Sequence, residues 1–329
     1  METMKKLKFA GKTIIFTTHK LEEVKKVADR CAILREGRLV EVLEVATTSI
    51  KEMADKMIGR EVSLEVAKVQ SHFGKETLLV QNLTVKDKHG FPVVKNASFS
   101  IRQGEILAIA GVRGNGQVEL ADAIAGLLPI AEGKIILNGK NITHRSIKER
   151  SREGIAYVPE EGHKYGLILE FSLAENFLLK NYDTRPFSKK GILNKSEAVF
   201  FGEKLMEEYG IQSGQTTEIK VSSMSGGNQQ KAVIARELEK DADLIILVQP
   251  TGGLDMGARE TVHKRIMEER EKGKAILLIS LEPDEVIKLA DTIAVINGGK
   301  LLKVADAKSF FQKQVGELMM GVTGDEAEE

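Results

Sequence analysis

An apolar strand, a glycine-rich loop and an amphipathic helix follow one another directly between Gly104 and Leu128, the frame of a phosphate-binding loop, though glycines alone would also suit an ordinary strand–turn–helix corner. Glu105–Ala110 is a short apolar run with turn signals at both ends, which predicts a buried strand. Gly111-Val112-Arg113-Gly114-Asn115-Gly116 follows as a loop. Val118, Ala121, Ile124, Ala125 and Leu128 then recur at helical spacing, so a helix is predicted from about Gln117. In such a corner, backbone N–H groups and the positive helix end converge on an anion. The fold class implied is α/β.

The corner keeps the shape of a phosphate loop and lacks its charge. The motif of nucleotide hydrolases reads GxxxxGK followed by Ser or Thr. Gln117 stands where the lysine would meet the phosphates, and Val118 where a hydroxyl would hold Mg²⁺. Each charged hydrogen bond contributes roughly 1.5–3 kcal/mol, so losing two weakens nucleotide binding by on the order of a hundredfold or more. Arg113, the loop's one cation, could lend a charge, though an arginine in a loop is more often solvated. GxxGxG is also not the GxGxxG order of a dinucleotide fold.

The balance of 48 basic against 48 acidic residues argues against a dedicated nucleic-acid binder. An apolar content of 42% supports a real core. The lone Cys31 permits no intrachain disulfide, which suits a reducing compartment. The histidines show no metal-ligand spacing, and no metal site is expected. No apolar run reaches the length of a membrane span.

Two distant segments repeat each other. Residues 11–42 align without a gap to residues 273–304, at an offset of 262. Gly11, Lys12, Ile14, Glu23, Val24, Ala28, Asp29, Ala32, Gly37, Leu39 and Val42 are identical to Gly273, Lys274, Ile276, Glu285, Val286, Ala290, Asp291, Ala294, Gly299, Leu301 and Val304. The register still holds at Met57 and Gly59 against Met319 and Gly321. A repeat of domain size follows. Residues 1–60 read as the end of a first copy, 61–76 as a linker, 77–321 as a complete second copy and 322–329 as a solvated acidic tail. The chain is therefore expected to be a fragment. In the first copy, 11–19 is predicted as a strand ending in His19, then a helix and a strand pair. In the second, residues 78–101 predict an antiparallel strand pair, Asp243–Val248 a buried strand, and 172–240 a mainly helical insertion with a polar break at 185–190.

Ser225-Gly226-Gly227-Asn228 opens the helix that carries Gln229, Gln230, Val233 and Ile234. A serine cap followed by two glycines lets backbone N–H groups approach an anion. Taken with GVRGNGQVELADAIAGL, AYVPEEGHKYGL, QPTGGLD and, near the start, TTHKLEEV, this MSGGNQQK stretch resembles the LSGGQ signature of ABC-type ATPases. The likeness is to the tandem ATP-binding subunits of bacterial simple-sugar and nucleoside importers, over nearly the whole chain.

That resemblance implies an ABC-type nucleotide-binding domain with antiparallel β and helical subdomains. ATP is the implied cofactor, with Mg²⁺ only at an intact first-domain site. Ser225 to Asn228 would serve a facing domain, Asp255 would lie in the turn contacting it, and Glu160 would take the place of the permease-sensing glutamine. His19 would be the switch histidine of the first domain. The second copy departs from the pattern: Val248 and Gln249 replace the Walker B Asp-Glu pair, and Leu281 replaces the histidine. No adenine-stacking aromatic stands near Val85–Lys88, and Phe91 is a poor substitute. The implied partners are two transmembrane permeases docking near 160–182, an extracytoplasmic solute-binding lipoprotein and the absent first nucleotide-binding domain, with no nucleic acid. The implied place is the cytoplasmic face of the membrane. Two other readings stay open: a soluble ABC ATPase of DNA repair or translation, and a non-catalytic nucleotide-sensing module.

Overall fold

A computed structural model describes residues 1–18, 20–35, 37–60, 73–212, 214 and 216–321. His19, most of the 61–76 linker and the 322–329 tail lie outside the described residues. The chain divides into two units, Met1–Glu65 with Leu254–Glu260, and Val66–Gly253 with Thr261–Glu329.

The first unit holds helices α1 (Glu2–Phe9) and α2 (Leu21–Val27), strands β1 (Arg30–Arg35) and β2 (Arg38–Glu44), and α3 (Ile50–Ile58). Ser49 caps α3 by accepting from the Glu52 N–H, and Gly59 ends it in the left-handed region. Leu21, Val24, Ile33, Leu43, Val45, Met53 and Ala54 form its small core.

The second unit begins with strands β3 (Glu76–Lys86), β4 (Pro92–Arg102) and β5 (Ile106–Ala110), then helix α4 (Gln117–Ala125). There follow β6 (Ile130–Leu137), β7 (Lys140–Asn141), α5 (Ile147–Arg152), β8 (Ile155–Val158), α6 (Leu173–Leu178), β9 (Ser188–Lys189), β10 (Ile192–Leu193) and α7 (Lys195–Glu208). The last third comprises α8 (Gly226–Leu238), β11 (Leu244–Val248), α9 (Met256–Glu271, of which Thr261 onward falls in this unit), β12 (Ala275–Ser280), α10 (Pro283–Leu289), β13 (Thr292–Asn297), β14 (Lys300–Asp306) and α11 (Gln312–Met319). Six strands form one sheet in the order β14-β13-β5-β12-β11-β8, parallel except for β14. β5, β11 and β12 are buried at every residue, which is why they read as unbroken apolar runs. A four-stranded antiparallel sheet, β4-β3-β6-β7, packs into the same core. Only its first hairpin was visible in the sequence. The polar break at 185–190 runs into a two-stranded hairpin, β9–β10.

The repeat holds bond by bond. α2, β1 and β2 match α10, β13 and β14 residue for residue at the same offset. Both hairpins carry a bulge at the same place, between Ile33 and Leu34 and between Val295 and Ile296. Val45 N–H bonds the Asp29 carbonyl as Ala307 N–H bonds that of Asp291. The predicted strand at 11–19 is the exception: residues 12–18 take no regular structure. Their counterpart, β12, lies between β5 and β11 and is bonded on both edges. The sole sheet among the first unit's described residues is β1–β2. A strand pattern without neighbours leaves its backbone groups unpaired, so the pattern alone does not make a strand.

Candidate functional site

The glycine loop sits where its sequence placed it, between β5 and α4. Gly116 caps α4 at φ +95°, and a Cβ there would lie 2.2 Å from the Val93 carbonyl oxygen. At Gly111 a Cβ would meet Ile296 at 2.7 Å. The loop is also tied to the β13–β14 turn: Gly298 N–H donates to Asn115 Oδ1 at 3.1 Å, and Gly299 N–H to the Asn115 carbonyl at 3.1 Å. Its shape is thus fixed by backbone contacts on two sides. Gly116→Ala is expected to cost at least about 2 kcal/mol, from strained backbone and the clash together. Urea denaturation of the variant beside wild type checks this.

Inside the loop the chemistry is neutral. Gln117 is buried and turns back, its Nε2 donating to the Val112 carbonyl at 2.9 Å. Gln117 Oε1 and Asn115 Nδ2 are buried and without a hydrogen-bond partner among the described residues. Val118 is half-buried and offers no hydroxyl. Arg113 is not merely solvated, as the sequence suggested: its Nη2 pairs with Glu160 Oε1 at 2.8 Å. The structure therefore joins the glycine loop to the loop after β8, across 47 residues of sequence.

Beside that pair lies a cavity of about 680 Å³ lined by Val118, Asp122, Tyr157, Glu160, Tyr165 and Arg236, among others. The Tyr157 hydroxyl donates to Asp122 Oδ1. Burial pushes the Asp122 carboxyl up, Tyr157 opposes it, and Glu119 and Glu160 add to it. Burial and the Asp122 charge push the Tyr157 phenol up as well.

Ser225 caps α8, accepting from Asn228 N at 3.4 Å and from Asn228 Nδ2 at 3.1 Å. Asn228 Oδ1 in turn accepts from Gln212 N. A bond the sequence did not reveal runs from Gln230 Nε2 to the Pro250 carbonyl, tying α8 to the turn after β11. In that turn Gln249 adopts φ +52° and its N–H bonds the Ile279 carbonyl. Leu281 follows β12, partly buried. Asp255 accepts from Ala258 N at 2.9 Å and so caps the start of α9.

A buried polar cluster also escaped the sequence reading. Glu285 Oε1 accepts from Thr251 Oγ1 at 2.7 Å and meets His263 Nε2 at 2.8 Å. Burial alone would raise the Glu285 carboxyl, but His263, Ser280 and Thr251 together hold it below the usual range. The identity of Glu23 with Glu285 was the available signal, and Thr18 Oγ1 bonds Glu23 at 2.8 Å in the first copy.

The donors needed for Mg²⁺ do not fit. Val118, Val248, Gln249 and Leu281 supply no carboxylate or hydroxyl, and no group of three or more His, Cys, Asp or Glu side chains could hold a metal ion among the described residues. For a phosphate the fit is partial. The first N–H groups of α4 have no intrahelical acceptor, but the helix's first side chain, Gln117, is a neutral amide.

Residues 94–252 match the family model described as ABC transporter. The chain is 42% identical over 328 residues to a guanosine import ATP-binding protein of Bacillus subtilis, covering 99% of this chain and 64% of that protein. It is 40% identical over 321 residues to a nucleoside import ATP-binding protein of Lactococcus lactis, covering 98% and 63%. It thus spans less than two thirds of the length of these relatives. Among solved structures, a post-hydrolysis dimer of an ATP-binding cassette with ADP and phosphate superposes with a TM-score of 0.62 at 21% identity, over 71% of this chain and 100% of that one. The ADP form of another ABC transporter cassette gives 0.59 at 22%, over 75% and 96%. These likenesses establish the α/β ABC cassette fold. No helix among the described residues is long and apolar enough to cross a membrane.

Proposed function

We propose that this chain is an ATP-binding protein of the ABC transporter family and, within it, an energy-coupling component of a bacterial importer for nucleosides or simple sugars. Its complete cassette is the non-hydrolytic half of an asymmetric pair. It holds nucleotide weakly and presents Ser225 to Asn228 to a second cassette that carries the charged phosphate loop and Walker B acids. His19 would belong to that second site. Mg²⁺ and turnover belong there too, and no step of hydrolysis is assigned to Gln117, Val118, Val248, Gln249 or Leu281.

One contrast carries this reading. The backbone of the cradle is held by contacts that admit no Cβ at Gly116, yet every position that would supply charge to the reaction is neutral. The cavity beside Glu160 is the proposed seat for a permease segment. Its lining combines the Tyr165 ring and apolar Leu167 and Ile168 with the Glu160 carboxylate. Two permease subunits and, through them, a solute-binding lipoprotein are the partners, and the chain works at the cytoplasmic face of the membrane.

The test has two arms. Alone, the chain should hydrolyse ATP below about 1 s⁻¹, an ordinary enzyme rate. Expressed with its permeases and a competent cassette, it should co-purify with them. Turnover by the isolated chain, or its absence from the purified complex, would reject the proposal.

A further inference from the structure

We propose that Arg113 replaces the missing lysine as the phosphate-binding side chain of this loop, and that Glu160 is its built-in competitor. A nucleotide polyphosphate then enters the loop only by taking Arg113 from Glu160. This rests on reading Gly111–Val118 as the nucleotide loop.

Arg113 is the only cation in that stretch. Gln117 turns its amide inward to the Val112 carbonyl and leaves Oε1, an acceptor, buried and unpaired among the described residues. A phosphate gains nothing from an acceptor, so within the loop itself the charge complement must come from Arg113. That guanidinium is within reach and loosely held: its side chain is 77% exposed and its ion pair is with Glu160 at 2.8 Å. Exposed pairs of this kind are weak. A guanidinium binds phosphate oxygens in a bidentate fork, which favours the exchange. Without metal ligands in the loop, the exchange needs no Mg²⁺.

Glu160 also lines the 680 Å³ cavity that Asp122 and Tyr157 share. Losing Arg113 leaves its carboxylate unpaired at that wall, close to a second carboxyl. Occupancy of the loop and the charge of the cavity are thereby linked through one side chain. The ligand class is an adenosine polyphosphate, metal-free, and the signal is the freed Glu160.

The experiment titrates the full 329-residue chain with ATP in excess EDTA, and separately with tripolyphosphate, by calorimetry at low salt. Arg113→Gln should weaken ATP binding about tenfold or more. Glu160→Gln should tighten it about twofold to fivefold, by removing a weak competitor. In the double variant the Glu160 effect should vanish. Tripolyphosphate should follow the same order if the phosphates carry the exchange. Wild-type affinity in Arg113→Gln, tightening that persists in the double variant, a requirement for Mg²⁺, or no binding by any variant at millimolar ATP would each overturn the proposal. Co-purification with the permeases is scored apart from this, so a complex that forms without such binding would sink the exchange and leave the transporter reading standing.

Discussion

Arg270→Ala is expected to destabilise the second unit by about 3–5 kcal/mol, while Lys8→Ala should cost about 1 kcal/mol or less. The two lysine and arginine partners serve the same repeated aspartate. Asp29 and Asp291 are identical at the repeat offset, and each offers its carbonyl to the strand end of its own hairpin. Their side chains meet different surroundings. Asp291 takes a bidentate pair from Arg270, Nε at 2.8 Å and Nη2 at 2.6 Å, and accepts the Ile106 N–H at 2.9 Å. Those two side chains are 2% and 11% exposed. Removing Arg270 strands a largely buried carboxylate against the first residue of β5, the strand that leads into the glycine loop. Asp29 pairs with Lys8 at exposures of 73% and 48%, where water replaces the lost partner. Denaturation curves for both variants, with hydrogen exchange at Ile106–Ala110 to follow the second unit, give the comparison. Equal costs would show that burial does not set the value of this pair.

Much of the fold was legible because it is local. The corner from β5 to α4 is written in apolar run, glycines and helical spacing, and the cap at Ser225 in a single residue type. The repeat was legible because identity at one offset needs no structure, and the matching bulges at Ile33 and Val295 show how far it reaches into the backbone. What the sequence hid depends on neighbours. Residues 12–18 have a strand's pattern and no strand beside them. β6 and β7 lie beyond the hairpin that was predicted and complete its sheet. The Arg113–Glu160 pair joins two loops that only the parallel order of β5 and β8 brings close. Gln117 was read as standing where a phosphate loop has its lysine. That its amide folds under the loop and bonds Val112 could not be read, because nothing in a residue type fixes which way a neutral side chain turns.

Gly226→Asp is expected to leave the chain as stable as wild type, and to lower ATP turnover of the assembled importer about a hundredfold to a thousandfold, the size of effect seen when one preorganised donor to a developing charge is lost. The argument compares two glycines. Gly116 is demanded from within: φ +95° and the Val93 carbonyl exclude any side chain. At Gly226 a Cβ would meet nothing within 4 Å. Gly226 is the first residue of α8, after the Ser225 cap, where a carboxylate complements the helix dipole. Considered as an isolated chain, the substitution is therefore neutral or slightly stabilising. If α8 instead presents its N–H groups to a phosphate held by another cassette, the aspartate puts a negative charge and bulk where that phosphate must lie. Gly226→Ala separates bulk from charge and should lose less. Melting of the isolated chain and turnover of the complex, measured on the same preparations, distinguish the two accounts: full turnover with Gly226→Asp would mean that no nucleotide meets this helix, and the assignment of Ser225 to Asn228 would fall with it.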